Sequence, residues 1–380
     1  MKIAIIGAGL SGLTVAAAMK AQAPGADTSL YERDASSTSR PQGYAIGLRV
    51  GFGLKALGEI GLREAAISQD AFKVTDFVIL DQQGHTLLAL PSGDSGPNTT
   101  YRIQRLHLKQ VLVEAAGDTP VNYGKHCSGF VQTSANVTAM FEDGSRVEAD
   151  YLVACDGAGS VIRQQSIGDQ KRYLGLNAIH CASRLEVEHP FLAGGYFLTL
   201  GNNGCSFFCY RQPGGLYWSY VVHAASEAET SDQPGPALLE RVRQETADWH
   251  ELIPRIVAAS MPETVGVRGY YDKEPLTHAR AGRVWMIGDA AHPMCPFQGQ
   301  GANMAIMDAV RLAGFFGRNG DEDGQAAMLD ADIVKRGRQH VVESRGNAKR
   351  FHETSSWARA QRNLVFRTAN FFIATFAKRS

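Results

Sequence analysis

The chain has no Cys-x-x-Cys pair, no long apolar run and no excess charge of either sign. Each absence removes a class of function. Six cysteines are scattered at positions 127, 155, 181, 205, 209 and 295 of 380 residues. That is neither a disulfide framework nor a zinc ligand set, and a reducing compartment is the expectation. No stretch reaches the roughly 18 apolar residues of a membrane span. "NFFIATFAK" near the end is too short, and reads as a core cap. The N-terminus enters a strand with no basic leader ahead of it, which points to a cytoplasmic protein. Lys plus Arg equal Asp plus Glu at 38 each, so no net field invites nucleic acid. The basic C-terminal residues, Arg336, Arg338, Arg345, Lys349, Arg350, Arg359, Arg362 and Arg367, read as a solvated helix face.

What is there begins at once. "KIAIIGAGLSGLTVAAAMK" is an apolar strand followed by Gly7, Gly9 and Gly12 at Gly-x-Gly-x-x-Gly spacing, then an Ala-rich helix. The first glycine permits the tight turn, the second lets a pyrophosphate approach the backbone, and the third lets helix and strand pack closely. The helix N-terminus offers N–H groups to phosphate. The next strand, "TSLYE", delivers Glu32 about twenty residues on, where an acid can bind a ribose diol. The order of strand, glycines, helix, strand and acid makes a dinucleotide site, with an unphosphorylated ribose: NAD or the adenosine half of FAD. No second complete fingerprint follows, and the early redox pair of the disulfide reductases is missing, since the first cysteine is Cys127.

Further along, "YRIQRLHLKQVLVEAAG" is an arginine-led helix, "YLVACDG" a buried strand ending in an acid, and residues 175–223 a series of strands rich in aromatics. After "RVWMIGD", a last apolar strand, comes "GDAAHPMCPFQGQGAN", Gly288 to Asn303, and then a helix.

Taken in order, Gly7-Ala8-Gly9-Leu10-Ser11-Gly12, then Asp156-Gly157 with Ser160 and Arg163, then Gly288-Asp289 through Gly301, the chain resembles the class A, FAD-dependent flavoprotein monooxygenases of the aromatic-hydroxylase type. It is similar to their salicylate-hydroxylase-like and tetracycline-modifying members. The resemblance implies an α/β fold with a Rossmann-like FAD-binding domain of the glutathione-reductase type, from 1–72, 101–174 and 270–320. A mostly β substrate domain would comprise 73–100 and 175–269, with C-terminal helices at 321–380. It implies that Gly7, Gly9, Leu10, Ser11 and Gly12 hold the pyrophosphate and that Glu32 and Arg33 serve the adenosine end. Asp156, Arg105 and Arg40 would also reach FAD or a nicotinamide cofactor. Asp289 would bind the ribityl chain, and Pro296, Gly299, Gln300, Gly301 and Asn303 would line the ring.

In such enzymes NADH or NADPH reduces the FAD, O2 adds to form a flavin C(4a)-hydroperoxide, and one oxygen passes to an aromatic or polyketide-like small molecule, without a metal. Monomer or homodimer both fit. No catalytic side chain is assigned; His292 reads as structural. His180, Arg184, Arg211 and His223 are the polar candidates among the aromatic strands. A halogenase would need Trp-x-Trp-x-Ile-Pro, which "LYWSYVV" does not supply. A flavin-linked reductase, or a non-catalytic binder on the same fold, stays open.

Overall fold

Short apolar runs that end in glycine or an acid make buried parallel strands. In the computed structural model, which describes residues 1–39, 45–67, 71–91, 96–318 and 323–377, four such runs lie side by side. The chain divides into two units, the first built from Met1–Ala71, Tyr101–Arg172 and Tyr271–Arg345. Its main sheet has the strand order Arg280–Ala281, Val284–Met286, Tyr151–Ala154, Lys2–Ile6, Asp27–Tyr31, Val121–Asn122. Every pairing but the first is parallel. Helix Leu10–Gln22 packs against helices Gly301–Gly317 and Arg105–Ala116, and every residue from Leu10 to Met19 is buried. A helix apolar on all sides has to be covered on all sides. An antiparallel meander, Cys127–Gln132, Val137–Phe141 and Arg146–Ala149, packs against the central strands.

The second unit comprises Phe72–Thr100, Tyr173–Tyr270 and Gly346–Ser380. Its sheet has seven strands, in the order Gly266–Asp272, Arg172–Ser183, Gly215–His223, Ser206–Gln212, Gly195–Leu200, Asp76–Asp81, Thr86–Pro91. Alternation sorts the aromatics onto two faces. On one, Phe197, Phe207, Trp218 and Tyr220 form a core with helices Gly235–Glu245 and Leu252–Ala258. On the other lie Phe77, Tyr196, Phe208, Tyr210, Tyr217 and His180, by cross-strand register.

The C-terminal helices do not form a separate segment. Helix Asp323–Phe351 belongs to the first unit as far as Arg345 and to the second from Gly346. The basic run is only in part a solvated face: Arg338, Lys349, Arg350 and Arg367 are exposed, while three members turn inward. Arg336 bonds Asp308 and Asp332, Arg345 bonds Asp272 at 2.7 Å, and Arg362, 8% exposed, holds the carbonyls of Arg350 and Phe351 at 3.2 Å. A guanidinium has five donors, enough to be satisfied where it is buried. Helix Ser356–Ala377 lies along Thr86–Pro91, and Asn370 Oδ1 accepts the Ala89 N–H at 2.8 Å. That contact leaves Phe371 and Phe372 exposed, so "NFFIATFAK" does not cap a core. Among the described residues no helix is long and apolar enough to cross a membrane. All six cysteines are buried and outside any disulfide, and burial pushes the Cys127 thiol up to about 11 and those of Cys155 and Cys295 up to about 12.

Two buried bases, His352 and His180, should contribute to the acid response of the second unit. His352 is 3% exposed, with Nε2 2.8 Å from Ser206 Oγ and Nδ1 2.8 Å from the Ala348 carbonyl. Burial lowers its pKa to about 4 despite the bond to Ala348. The unfolded chain takes up this proton below about 6.5. The folded chain resists until about 4. Stability is therefore lost as pH falls through that window, by up to about 1.4 kcal/mol per pH unit. Urea midpoints measured across this range should fall steeply for the wild type and less steeply for His352→Gln. Equal slopes would remove His352 from the acid response.

Candidate active site

Three strands of the first sheet end level with one another. Ile6 pairs with Ala154, and Ala154 with Met286. Because the strands are parallel, the segments that leave them emerge at one edge: Gly7–Gly12, Asp156-Gly157 and Gly288-Asp289. Ligands of open parallel sheets bind at this carboxyl edge.

The three glycines of the first turn serve different purposes. Gly7 has φ 100°, and a Cβ on it would lie 2.5 Å from the Cys155 carbonyl oxygen. A Cβ on Gly12 would lie 1.9 Å from the Gly7 oxygen. Both positions are closed by the protein's own backbone. A Cβ on Gly9 would meet nothing within 4 Å. Gly9 is also the N-cap of helix Leu10–Gln22 and has no side chain to bond its first-turn N–H groups. The result is a cradle that a side chain would fill and a pyrophosphate fits. Leu10 and Ser11 turn their side chains inward, Ser11 Oγ to Cys155 Sγ at 3.5 Å, so only their backbone can face the cradle.

Glu32 follows strand Asp27–Tyr31. Its Oε2 accepts the Ala8 N–H at 2.7 Å and its Oε1 the Asp34 N–H at 2.9 Å. Each carboxylate oxygen keeps a second lone pair for a hydroxyl. Lys109, which sequence reasoning missed, faces it. Burial lowers the pKa of this amine, against the carboxylates of Glu32 and Asp34. It lies one turn after Arg105, which is half-buried at the start of helix Arg105–Ala116. Arg33 is exposed. Arg40 lies outside the described residues.

Asp156 Oδ2 accepts the Val161 N–H at 3.0 Å, while its buried Oδ1 has no partner among the described residues. Burial pushes this carboxyl above its ordinary value, against hydrogen bonds that include one from Ser160. An orphaned buried oxygen at the cradle's edge suits a ligand that brings hydrogen-bond donors or a proton. Arg163, of the same motif, points away from it. The guanidinium is 1% exposed, paired with Asp169 and bonded to the carbonyls of Ala290 and Ala291.

In the third segment Asp289 is exposed, and its Oδ1 lies 3.7 Å from where a Gly301 Cβ would stand. Pro296 and Gly299 are exposed, Gly299 with φ 62° and open space around it, and helix Gly301–Gly317 begins beside them. Gln300 and Asn303, expected to line the ring, have buried side chains that bond within the protein. Asn303 accepts the N–H groups of Arg49 (2.8 Å) and Gly53 (3.1 Å) and donates to the carbonyls of Gly47 (3.0 Å) and Gly299 (3.1 Å). All four hydrogen bonds of the amide are made. Gln300, its amide oxygen turned toward Arg49, accepts at 2.6 and 3.2 Å. Gln298 is also turned away, to His340 at 2.7 Å and to Glu343. These side chains brace the loop, and Arg49, a second residue missed in the sequence, is their anchor. His292 is 2% exposed with Nε2 2.6 Å from Asp308 Oδ2. Burial alone would raise the Asp308 carboxyl; His292 and Arg336 outweigh it and hold it below its ordinary value.

In the second unit, Arg211 is engaged with Glu188 at 2.9 and 3.1 Å and projects to the opposite face from Tyr210. His223 Nε2 is 2.9 Å from the His352 carbonyl, and Arg184 lies 3.6 Å from Glu263. His180 remains on the face with the second aromatic set, over Gly266, whose Cβ would come within 2.5 Å of the ring. Burial, then Arg268, lowers its pKa to about 4, so the ring is neutral at physiological pH.

Comparison with known proteins agrees with this geometry. Residues 1–342 match the FAD binding domain family. The 3-amino-4-hydroxybenzoate 2-monooxygenase of Streptomyces cremeus is 29% identical over 83% of this chain and 78% of its own length. An FAD-dependent urate hydroxylase of Klebsiella pneumoniae is 27% identical over 91% of this chain and 89% of its own. The crystal structure of Klebsiella pneumoniae HpxO with FAD and uric acid has the same fold, with a TM-score of 0.84 at 24% identity, covering 97% of this chain and 93% of that one. The chain belongs to the FAD binding domain family and is an FAD-dependent monooxygenase of the aromatic-hydroxylase type.

Proposed function

We propose that the chain hydroxylates a small, planar, electron-rich aromatic compound, with NADH or NADPH as reductant and O2 as oxygen donor. One observation carries the aromatic reading. A file of rings crosses the second unit's sheet on the face opposite the core that Phe197, Phe207 and Trp218 form. Phe77 and Tyr196 are 4.8 Å apart between centroids, Tyr196 and Phe208 5.7 Å, Phe208 and Tyr210 5.8 Å, Tyr210 and Tyr217 4.9 Å, and Tyr217 and His180 6.0 Å. Such a surface takes a flat ring by stacking and edge contact. The rings named for the relatives, an aminohydroxybenzoate and urate, are of this size.

FAD, when bound, supplies the electron transfer and the activation of oxygen. The protein's part is to hold it. The Gly9 cradle and the helix N-terminus behind it take the pyrophosphate; Glu32 takes the ribose diol, Asp289 the ribityl hydroxyls. The start of helix Gly301–Gly317 points its partial positive charge at the ring side, where negative charge is stabilised. Neutral His180 can hydrogen-bond a phenol placed on the aromatic face. The buried braces of the ring-side loop limit the entry of water.

The purified protein should be yellow, with one non-covalent FAD per chain. Gly9→Val should fold with nearly wild-type stability yet lose FAD, whereas Gly12→Ala should lower the melting temperature even without FAD, because its Cβ meets the Gly7 backbone. Flavin content and apoprotein melting curves separate the two. A Gly9→Val protein that retains its flavin would sink the cradle. Glu32→Ala should weaken FAD binding by roughly 1–3 kcal/mol.

A further test concerns the loop. Gly299→Ala imposes a positive φ on a side chain, at about 1 kcal/mol, without filling any space. It should slow NAD(P)H-driven bleaching of the flavin in stopped flow more than it weakens FAD binding, and aromatic substrate should speed that bleaching in the wild type. Equal rates with and without substrate, in both proteins, would mean that the loop does not time the reaction.

A further inference from the structure

The turn Gly288–His292 is gripped by two buried charged side chains that come from distant parts of the chain. Asp308, fully buried, accepts the Gly288 N–H at 3.1 Å and the His292 ring at 2.6 Å through its Oδ2. Arg163, 1% exposed, donates from Nη1 to the carbonyls of Ala290 at 3.3 Å and Ala291 at 2.5 Å. Each grip is itself held. Arg336 bonds Asp308 Oδ1 at 2.9 Å, while Asp169 pairs with Arg163 and with Lys273, the latter at 3.1 Å. Between the gripped groups stands Asp289, the one exposed residue of the five.

Burying ions is a costly way to hold a loop, and well-packed apolar residues do it as well or better. Charged hydrogen bonds add direction: the guanidinium plane is held by Asp169 through Nε and Nη2, so its Nη1 meets the two successive carbonyls in one fixed orientation. We infer that Arg163, Asp308 and His292 are positioning residues for Asp289, acting on FAD only through the direction in which this turn aims the Asp289 carboxylate. The second and third sequence motifs are then one device: Arg163, from the Asp-Gly motif, sets the geometry of the Gly-Asp motif. The inference rests on the reading of Asp289 as a ribityl ligand.

A double-mutant cycle tests it, using full-length protein reconstituted with FAD. The variants are Arg163→Lys, which keeps the charge and loses the planar group that Asp169 orients, Asp289→Asn, and the two together. The readouts are the FAD dissociation constant, from quenching of flavin fluorescence, and the visible spectrum of the bound flavin. Residues that act through one another are non-additive. Arg163→Lys should weaken FAD about tenfold in the wild-type background and shift the spectrum, but change affinity by less than about twofold when Asp289 is already Asn. Equal losses in both backgrounds would overturn the positioning role while leaving Asp289 as a ligand. Undiminished FAD affinity in Asp289→Asn alone would instead sink the assignment of Asp289, and the inference with it. Should Arg163→Lys fail to fold, His292→Gln, which leaves Arg163 and the Asp308–Arg336 pair in place, is read in the same cycle with the same outcomes.

Discussion

Everything at the candidate site depends on three parallel strands ending in register. Ile6, Ala154 and Met286 are neighbours in the sheet although almost 300 residues of sequence separate the first from the last. Parallel pairing sends all three chains out over the same edge, so a glycine turn, a buried acid and an exposed acid meet there. These strands are buried on both faces, with Ile5, Val153 and Trp285 showing no exposed surface. The close approach of Gly12 to Gly7 then seats the first helix with its N-terminus over that edge. Nucleotide chemistry is a consequence of how the sheet is stacked.

Much of this was legible in the sequence. The glycine spacing, the strand before it and Glu32 are local features, and local features follow from backbone geometry alone. The readings that changed concern contacts across long separations. Gln300 and Asn303 sit in a stretch rich in glycine and proline and look ready to face a ring; their partners are at residues 47–53, and no periodicity announces that. Arg163 looked like part of a nucleotide motif, but its hydrogen bonds go to Ala290 and Ala291. The basic run from Arg336 onward has the spacing of a solvated helix, and only the buried acids Asp308 and Asp272 reveal why several of its members turn inward. Charge is legible in a sequence, whereas the place of its counter-charge is not.

The aromatic strands show a subtler limit. Alternation makes it clear that Phe207 and Phe208 point opposite ways, yet both faces of this sheet are aromatic, so sequence cannot say which is core. Helices Gly235–Glu245 and Leu252–Ala258 decide it by covering one face. Phe197, Phe207 and Trp218 become structural, and Tyr196, Phe208 and Tyr217 stand on the other face, the one we propose for the substrate ring.

The burial of all six thiols bears on durability. An enzyme that activates oxygen releases hydrogen peroxide whenever a cycle ends without hydroxylation, and peroxide attacks thiolate in preference to thiol. Cys155 stands beside the glycine turn and Cys295 inside the ring-side loop, close to where such a by-product would arise, and burial holds both far from ionisation. The reactive form of the sulfur is scarce where oxidant is most concentrated. Such burial would slow the loss of these cysteines to peroxide.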